Sequence, residues 1–424
     1  MTINSQLSIA VILDQAPNSG GAYYQMMNAV LQLNSSHLRY KHNLLYFSTT
    51  PLNVEPLDRL GINVKLIQIG LVQRLCSCLR NKFLGSEILI RFPSILGISF
   101  LDKFLLSYGV DIVYFTSPTG LAASLEALPY ISTVWDLCHR MESSFPEVRE
   151  KRIFEYREIK YCTILPKAEA ILVDSEFSRK ALSFYYRVDL DRIYVYPFSP
   201  SPFLAGSKSC KNVSDTLTAV DIKYDNYILY PAQFWPHKNH VYIIKALHHL
   251  SLNSELAIMA VLPGAQKGPL QNTLIRYIQD MNLEHLFLMP GFVDDGQMQS
   301  LYLNSLALVM PSFFGPTNLP VYEAQRLGVP VFYSDLPGFA DILTANDFKL
   351  DLSDYRCLSN LLLHYYDELK GKRDKRMHSK NQESSFDTIE TPNISAVDTL
   401  DRIFNRFCIR SSAWNPYQQS LDHF

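Results

Sequence analysis

Short continuous apolar runs, five to seven residues long, recur along the chain and constrain its fold more than any other feature. SIAVIL (8–13), NLLYFS (43–48), NVKLIQI (63–69), DIVYF (111–115), ISTVW (131–135), AILVD (170–174) and RIYVY (192–196) read as strands covered on both faces. Helical spacing separates most of them. Strand and helix alternating in this way predict a parallel sheet with helices on both sides, hence a doubly wound domain over 1–197. Residues 198–226, rich in Pro and Ser and without periodicity, read as a linker. The pattern then restarts with YILYP (227–231), LAIMAVL (256–262), HLFLM (285–289), LALVM (306–310) and VPVFY (329–333), and helices near 240–251, 270–281, 295–304 and 320–327. A second doubly wound domain is expected over 227–392, in which the polar stretch 370–392 reads as a charged loop. Residues 393–424 read as a C-terminal helix and tail, with helical spacing over 394–408. The 424 residues are enough for two cores, since single cores stop growing at about 250–300 residues.

Charge and cysteines exclude several function classes. A net charge of −2 leaves no excess of cations to neutralise a nucleic-acid backbone, so no nucleic-acid partner is expected. Seven scattered cysteines, without a paired Cys-x-x-Cys, indicate neither a disulfide framework nor a zinc site and fit a reducing cytoplasm. The start MTINSQLSIAVILDQ has no basic region before its apolar run, and no stretch of 18 apolar residues occurs, so a soluble or at most peripheral protein is expected. Residues 71–92 interleave Arg74, Arg80, Lys82 and Arg91 with apolar residues. They read either as an interfacial helix at the inner face of a membrane or as a helix packed on the core.

Candidate chemistry gathers where strands end. In VMPSFFGPTNLPVYEAQRLGVPVFY (309–333), a strand runs into a Gly/Pro/Asn turn and Pro320 stands at the start of a helix, where a missing N–H is harmless. The amides of Asn318 and Leu319 would then be open to an anionic guest, such as a phosphate-bearing substrate. Glu323 is expected in the first helical turn, either complementing the helix dipole or accepting a sugar hydroxyl. In YPAQFWPHKN (230–239), Lys238 precedes a second helix, where a cation is disfavoured by the dipole unless it meets a ligand such as phosphate. Gly264 reads as a turn residue. Gly20 and Gly21 follow the first strand and permit positive φ and close backbone approach, although a plain turn accounts for them equally well. Asp136, His139 and Arg140 follow the strand at 131–135, where catalysis and loop bracing are both open readings. Asp189 and Asp191 form an Asp-x-Asp pair at the amino end of a strand, the wrong edge for a site, and read as turn and cap.

YPAQFWPHKN, the stretch LPGFVDDGQMQSLYLNSLALVMPSFFGPTNLPVYEAQRLGVPVFYSDLPG and VWDLCHR resemble the glycosyl transferases group 1 family, best over 227–345. The resemblance implies an α/β GT-B fold, two Rossmann-like domains facing across a cleft, and a retaining, metal-independent transferase with no cofactor beyond its nucleotide-sugar donor. It implies donor-diphosphate binding by Lys238, ribose binding by Glu323, and phosphate binding by the amides around Thr317, Asn318 and Leu319. Gly20 and Gly21 would lie against donor phosphate or acceptor. By position Gln233 belongs to the donor site and Asp136 and His139 to the catalytic set. The chain departs from the family pattern at Gln233, where an arginine is common, at Gly315, where a glutamate is common, and at Trp135, where a His-Asp pair would have its histidine. The acceptor implied is a glycan or lipid-linked glycan, in surface polysaccharide or lipopolysaccharide synthesis. A nucleotide-sugar epimerase or phosphorylase and a non-catalytic sugar-nucleotide-binding subunit are the rival readings.

Overall fold

The computed structural model describes residues 6–67, 99–201, 226–264, 270–315, 318–339, 342–379 and 394–421. The segment 71–92 and Thr317 lie outside them. The chain divides into two compact units, one built from the described residues of 1–137, 155–197 and 390–424, the other from those of 138–154 and 198–389.

The first unit holds a sheet of seven strands among the described residues, in the order β3-β2-β1-β4-β5-β6-β7. They are β1 (Ser8–Leu13), β2 (Asn43–Ser48), β3 (Val64–Leu66), β4 (Ile112–Phe115), β5 (Tyr130–Val134), β6 (Ala170–Val173) and β7 (Ile193–Val195). Every pair is parallel, with Ile9 opposite Leu44 on one side of β1 and opposite Ile112 on the other. All four residues of β4 and of β6 are buried, which is why these strands read as unbroken apolar runs. The helix Ile394–Leu421 joins this unit through Phe404, whose ring meets His42 edge-on at 5.3 Å, and through Lys41, which donates to Asp401 at 2.6 Å.

The second unit repeats the plan. Its strands are β8 (Tyr227–Leu229), β9 (Met259–Val261), β10 (Phe287–Leu288), β11 (Ala307–Met310), β12 (Val331–Ser334) and β13 (Phe348–Leu350), all parallel, in the order β10-β9-β8-β11-β12-β13. Leu308 stands opposite both Leu229 and Val331, at the centre of a core that includes Ile243, Leu247, Val261, Leu301 and Phe332. Truncating a residue so placed to alanine costs about 2–5 kcal/mol. The helix Asp295–Asn304 starts at a reciprocal capping box in which Asp294 and Gln297 bond each other's backbone.

Two sequence expectations are corrected here. The polar stretch from 370 onward is not a loop up to 379: the helix Arg356–Ser379 runs through it, because Arg373 and Arg376 turn inward. Arg373 donates to Asn226 at 3.1 Å, and Arg376 donates to the carbonyls of Ser305 at 2.6 Å and Gly328 at 3.1 Å. The C-terminal helix extends to Leu421 rather than ending near 408. The strand β13 was not anticipated. Among the described residues no helix is long and apolar enough to cross a membrane.

Candidate functional site

In a sheet of this order, the loops that follow the two central strands leave in opposite directions and open a crevice at the carboxyl edge. In the second unit those strands are β8 and β11. The loop after β8 runs through the single-turn helix Pro236–Lys238 to Asn239, which sits in the left-handed region at φ 54°, and into the helix His240–Asn253. The loop after β11 carries Gly315 and Asn318 and enters the helix Leu319–Arg326. The two loops meet. Lys238 Nζ donates to Asn318 Oδ1 at 3.1 Å, and the Phe313 N–H donates to the His237 carbonyl at 2.8 Å. Tyr230, from the strand end, donates its hydroxyl to the Lys238 carbonyl at 2.8 Å.

Asn318 is the N-cap residue of its helix, yet its side chain makes no capping bond. Its Nδ2 instead donates to the Gly315 carbonyl and to the Tyr333 hydroxyl, both at 2.6 Å, while Oδ1 receives Lys238. The cap is thereby traded for a cation anchor, with the helix N-terminus beside it. Gly315 adopts φ +103°, and a Cβ placed there would stand 2.8 Å from Asn318 Nδ2. Any side chain at this position would have to displace the Asn318 amide.

Glu323 is the fifth residue of its helix and lies outside the first turn, since the helix begins at Leu319. This corrects the sequence expectation and removes most of the dipole argument, which fades beyond the end turn. The carboxyl is buried at 7% exposure and doubly held: Tyr302 donates its hydroxyl to Oε2 at 2.8 Å and the Ser201 N–H donates to Oε1 at 3.3 Å. Burial pushes its pKa up, partly opposed by these two bonds. Ser201, assigned from sequence to a linker, is buried.

Gln233 is exposed and accepts the Trp235 indole N–H at 2.6 Å. Gly264 is more than a turn residue. A Cβ there would lie 2.4 Å from the Ala232 carbonyl, so only glycine lets these two strand-end loops touch. His139 is wholly buried, with its ring edge-on to Phe154 at 5.7 Å.

In the first unit the central strands are β1 and β4, and Asp14 and Ser117 follow them and share a short hydrogen bond. Gln15 donates to Asp14 at 3.1 Å. Asp136, beyond β5, is paired with Arg157 at 2.5 Å. Burial lowers the Lys160 ammonium to about 8, with Arg157 adding to the effect and Asp136 and Asp14 opposing it. Gly20 takes φ 61° and its carbonyl accepts the N–H groups of Tyr23 and Tyr24 at the start of the helix Gly21–Ser35. Asp189 begins the turn before β7 without a side-chain cap bond, and Asp191 faces Arg406 at 3.8 Å, as structural residues at the amino edge. Among the described residues no three His, Cys, Asp or Glu side chains converge as a metal site.

Sequence reasoning passed over Tyr302, Tyr333 and Ser201. A tyrosine one residue from the end of an apolar strand, as Tyr333 is in VFYS, is a usable signal, because a buried hydroxyl needs a partner. The partnership of Ser201 with Glu323 leaves no local trace.

Residues 219–356 match the family model described as Glycosyl transferases group 1. O-antigen chain mannosyltransferase B of Escherichia coli is 25% identical over 218 residues, which are 51% of this chain and 57% of that protein. A second Escherichia coli protein, UDP-Gal:alpha-D-GlcNAc-diphosphoundecaprenol alpha-1,3-galactosyltransferase, is 29% identical over 140 residues, 32% of this chain and 35% of the other. The matches thus span about a third to just over half of these relatives' lengths. The crystal structure of Anabaena HepE in complex with UDP-glucose superposes with a TM-score of 0.66 at 14% identity, over 93% of this chain and all of that one. At this identity the likeness establishes the fold, which is GT-B.

Proposed function

We propose that the chain, whose residues 219–356 match the glycosyl transferases group 1 family, moves a sugar from a nucleoside-diphosphate donor onto a hydroxyl of a glycan or lipid-linked glycan. The observation that carries this is the meeting of Lys238 with Asn318 at the β8/β11 switch point, beside the start of the helix Leu319–Arg326. A cation and a helix N-terminus converging on one point suit a diphosphate, and they stabilise the charge that develops on it as the glycosidic bond breaks. Glu323 is the ribose acceptor in this reading. Asp136 serves the acceptor side, with Arg157 fixing its carboxylate. Donor departure assisted by Lys238 and backbone amides needs no metal or other cofactor, so transfer is expected to persist in EDTA. Retention of configuration is part of the proposal, as is a place in surface polysaccharide or lipopolysaccharide synthesis in the cytoplasm, at the inner face of the membrane.

The test is calorimetric titration of the wild type and Lys238→Ala with UDP, GDP and the parent nucleosides. Losing one charge-assisted contact costs about 1.5–3 kcal/mol, so diphosphate affinity is expected to drop about tenfold or more while nucleoside affinity holds. Unchanged diphosphate affinity in a folded Lys238→Ala protein refutes the assignment.

A further inference from the structure

Glu147 lies in the single-turn helix Pro146–Arg149, ninety residues before the Lys238 turn, and its side chain is 7% exposed. One oxygen, Oε1, does double duty: it accepts the backbone N–H of His237 at 3.0 Å and stands 2.5 Å from His237 Nδ1. With Oε1 as the acceptor of both contacts, the hydrogen between them belongs to Nδ1. The other oxygen, Oε2, is buried with no hydrogen-bond partner among the described residues. Burying a carboxylate this way costs free energy that a neutral side chain would spare, so it is a poor choice for merely closing a turn.

The surroundings make the link rigid. The Phe145 ring packs on His237 at 6.2 Å and on Phe313 at 5.6 Å, and Cys138, Val148 and Phe314 form a small apolar cluster beneath. The His237 carbonyl accepts the Phe313 N–H at 2.8 Å and the Ser312 hydroxyl at 3.4 Å. His237 is thus held at its N–H, its ring and its carbonyl, and the next residue is Lys238.

We propose that Glu147 is a positioning residue for the diphosphate ligand. Acting through His237, it fixes the Pro236–Lys238 turn so that the Lys238 ammonium stands over Asn318, where the phosphates would arrive. The inference rests on the reading of Lys238 as a diphosphate ligand. A side chain that only stiffened the fold would alter stability and leave the phosphate-dependent part of binding alone.

The experiment is a double-mutant cycle on the full chain, titrating UDP and uridine, with GDP and guanosine as the second pair. Glu147→Ala is expected to weaken nucleoside diphosphate binding about tenfold and nucleoside binding less than twofold. Glu147→Gln keeps an acceptor for both His237 donors but loses the charge assistance, and is expected to weaken diphosphate binding about threefold. In the Lys238→Ala background either change should move diphosphate affinity less than about twofold, because the residue acts through Lys238. If Lys238→Ala alone leaves diphosphate affinity intact, the reading of the site fails. If Lys238→Ala weakens it and the Glu147 variants do not, or their effect persists undiminished in the double mutants, the inference about Glu147 fails. Should Glu147→Ala not fold, Glu147→Gln decides alone, and wild-type diphosphate affinity in that variant overturns the proposal.

Discussion

Asn318 holds Lys238, the Gly315 carbonyl and the Tyr333 hydroxyl with one amide, so each partner constrains the others. Gly315→Ala tests this coupling, because the added methyl group meets both an unfavourable φ of +103° and the amide 2.8 Å away. It should destabilise the second unit by about 1–3 kcal/mol and weaken diphosphate binding, read by denaturant unfolding and calorimetry. Diphosphate affinity equal to wild type would show that Lys238 does not depend on the Asn318 anchor. Glu323 gives a second prediction. Its folded-state pKa is raised by burial above the ordinary 4.5. A carboxyl shifted in that direction contributes stability that is complete below the unfolded value and is lost as pH rises through the folded one. Glu323→Gln should therefore gain on the wild type in unfolding free energy as pH rises above 4.5, while donor affinity falls about tenfold if the carboxylate grips ribose. A Gln variant that loses ground as pH rises would reverse the burial argument. Lys238 and Asn318 were legible in the sequence, because Pro, Gly and Asn punctuate the loops that carry them. Glu147, Tyr302 and Ser201 were not, since their partners are brought close only by tertiary packing and no periodicity records them.

At the level of elements, apolar runs located the strands well where they were buried on both faces, as in β1, β4 and β11. They failed for β13, whose three residues include the exposed Lys349. The charged stretch beyond 370 reads as a loop from charge alone, yet it is helical to 379 because the helix turns Arg373 and Arg376 inward onto Asn226 and the Ser305 carbonyl. The helix Ile394–Leu421 offers an element-scale prediction through its contact with His42. That imidazole accepts the Leu7 N–H at Nδ1 at 3.3 Å, and Phe404 covers its ring. Burial, helped by Lys41 and by His37 and opposed by Asp401, lowers its pKa from 6.5 to about 4. Neutral His42 therefore contributes stability that is present above pH 6.5 and is lost as pH falls toward 4. Protonation would also turn the Nδ1 acceptor into a donor facing another donor. His42→Asn retains an acceptor and should flatten the decline in stability over that range, as seen by thermal melts at pH 7 and pH 4.5. An unchanged slope would assign the acid sensitivity to other groups.

At the scale of the whole molecule, the two units share one strand order around their central pair, β3-β2-β1-β4-β5-β6 against β10-β9-β8-β11-β12-β13. No sequence repeat announces it, because right-handed crossovers and buried strands can be met by many apolar sequences. The proposed roles divide between them. Lys238, Asn318 and Glu323 belong to the second unit, whereas the first presents Asp14, Ser117 and the Asp136–Arg157 pair at the corresponding edge. A ligand that binds only the folded form of one unit should stabilise that unit selectively, by about 2.7 kcal/mol at 100 times its dissociation constant. Amide hydrogen exchange with and without saturating UDP or GDP separates the two sheets within one intact chain. The slowest amides of β8, β11 and β12 should gain protection, those of β1, β4 and β5 should change little, and Lys238→Ala should abolish the difference at the same ligand concentration. Protection appearing first in β1 and β4 would move the diphosphate to the other sheet and leave Lys238 with a structural part only.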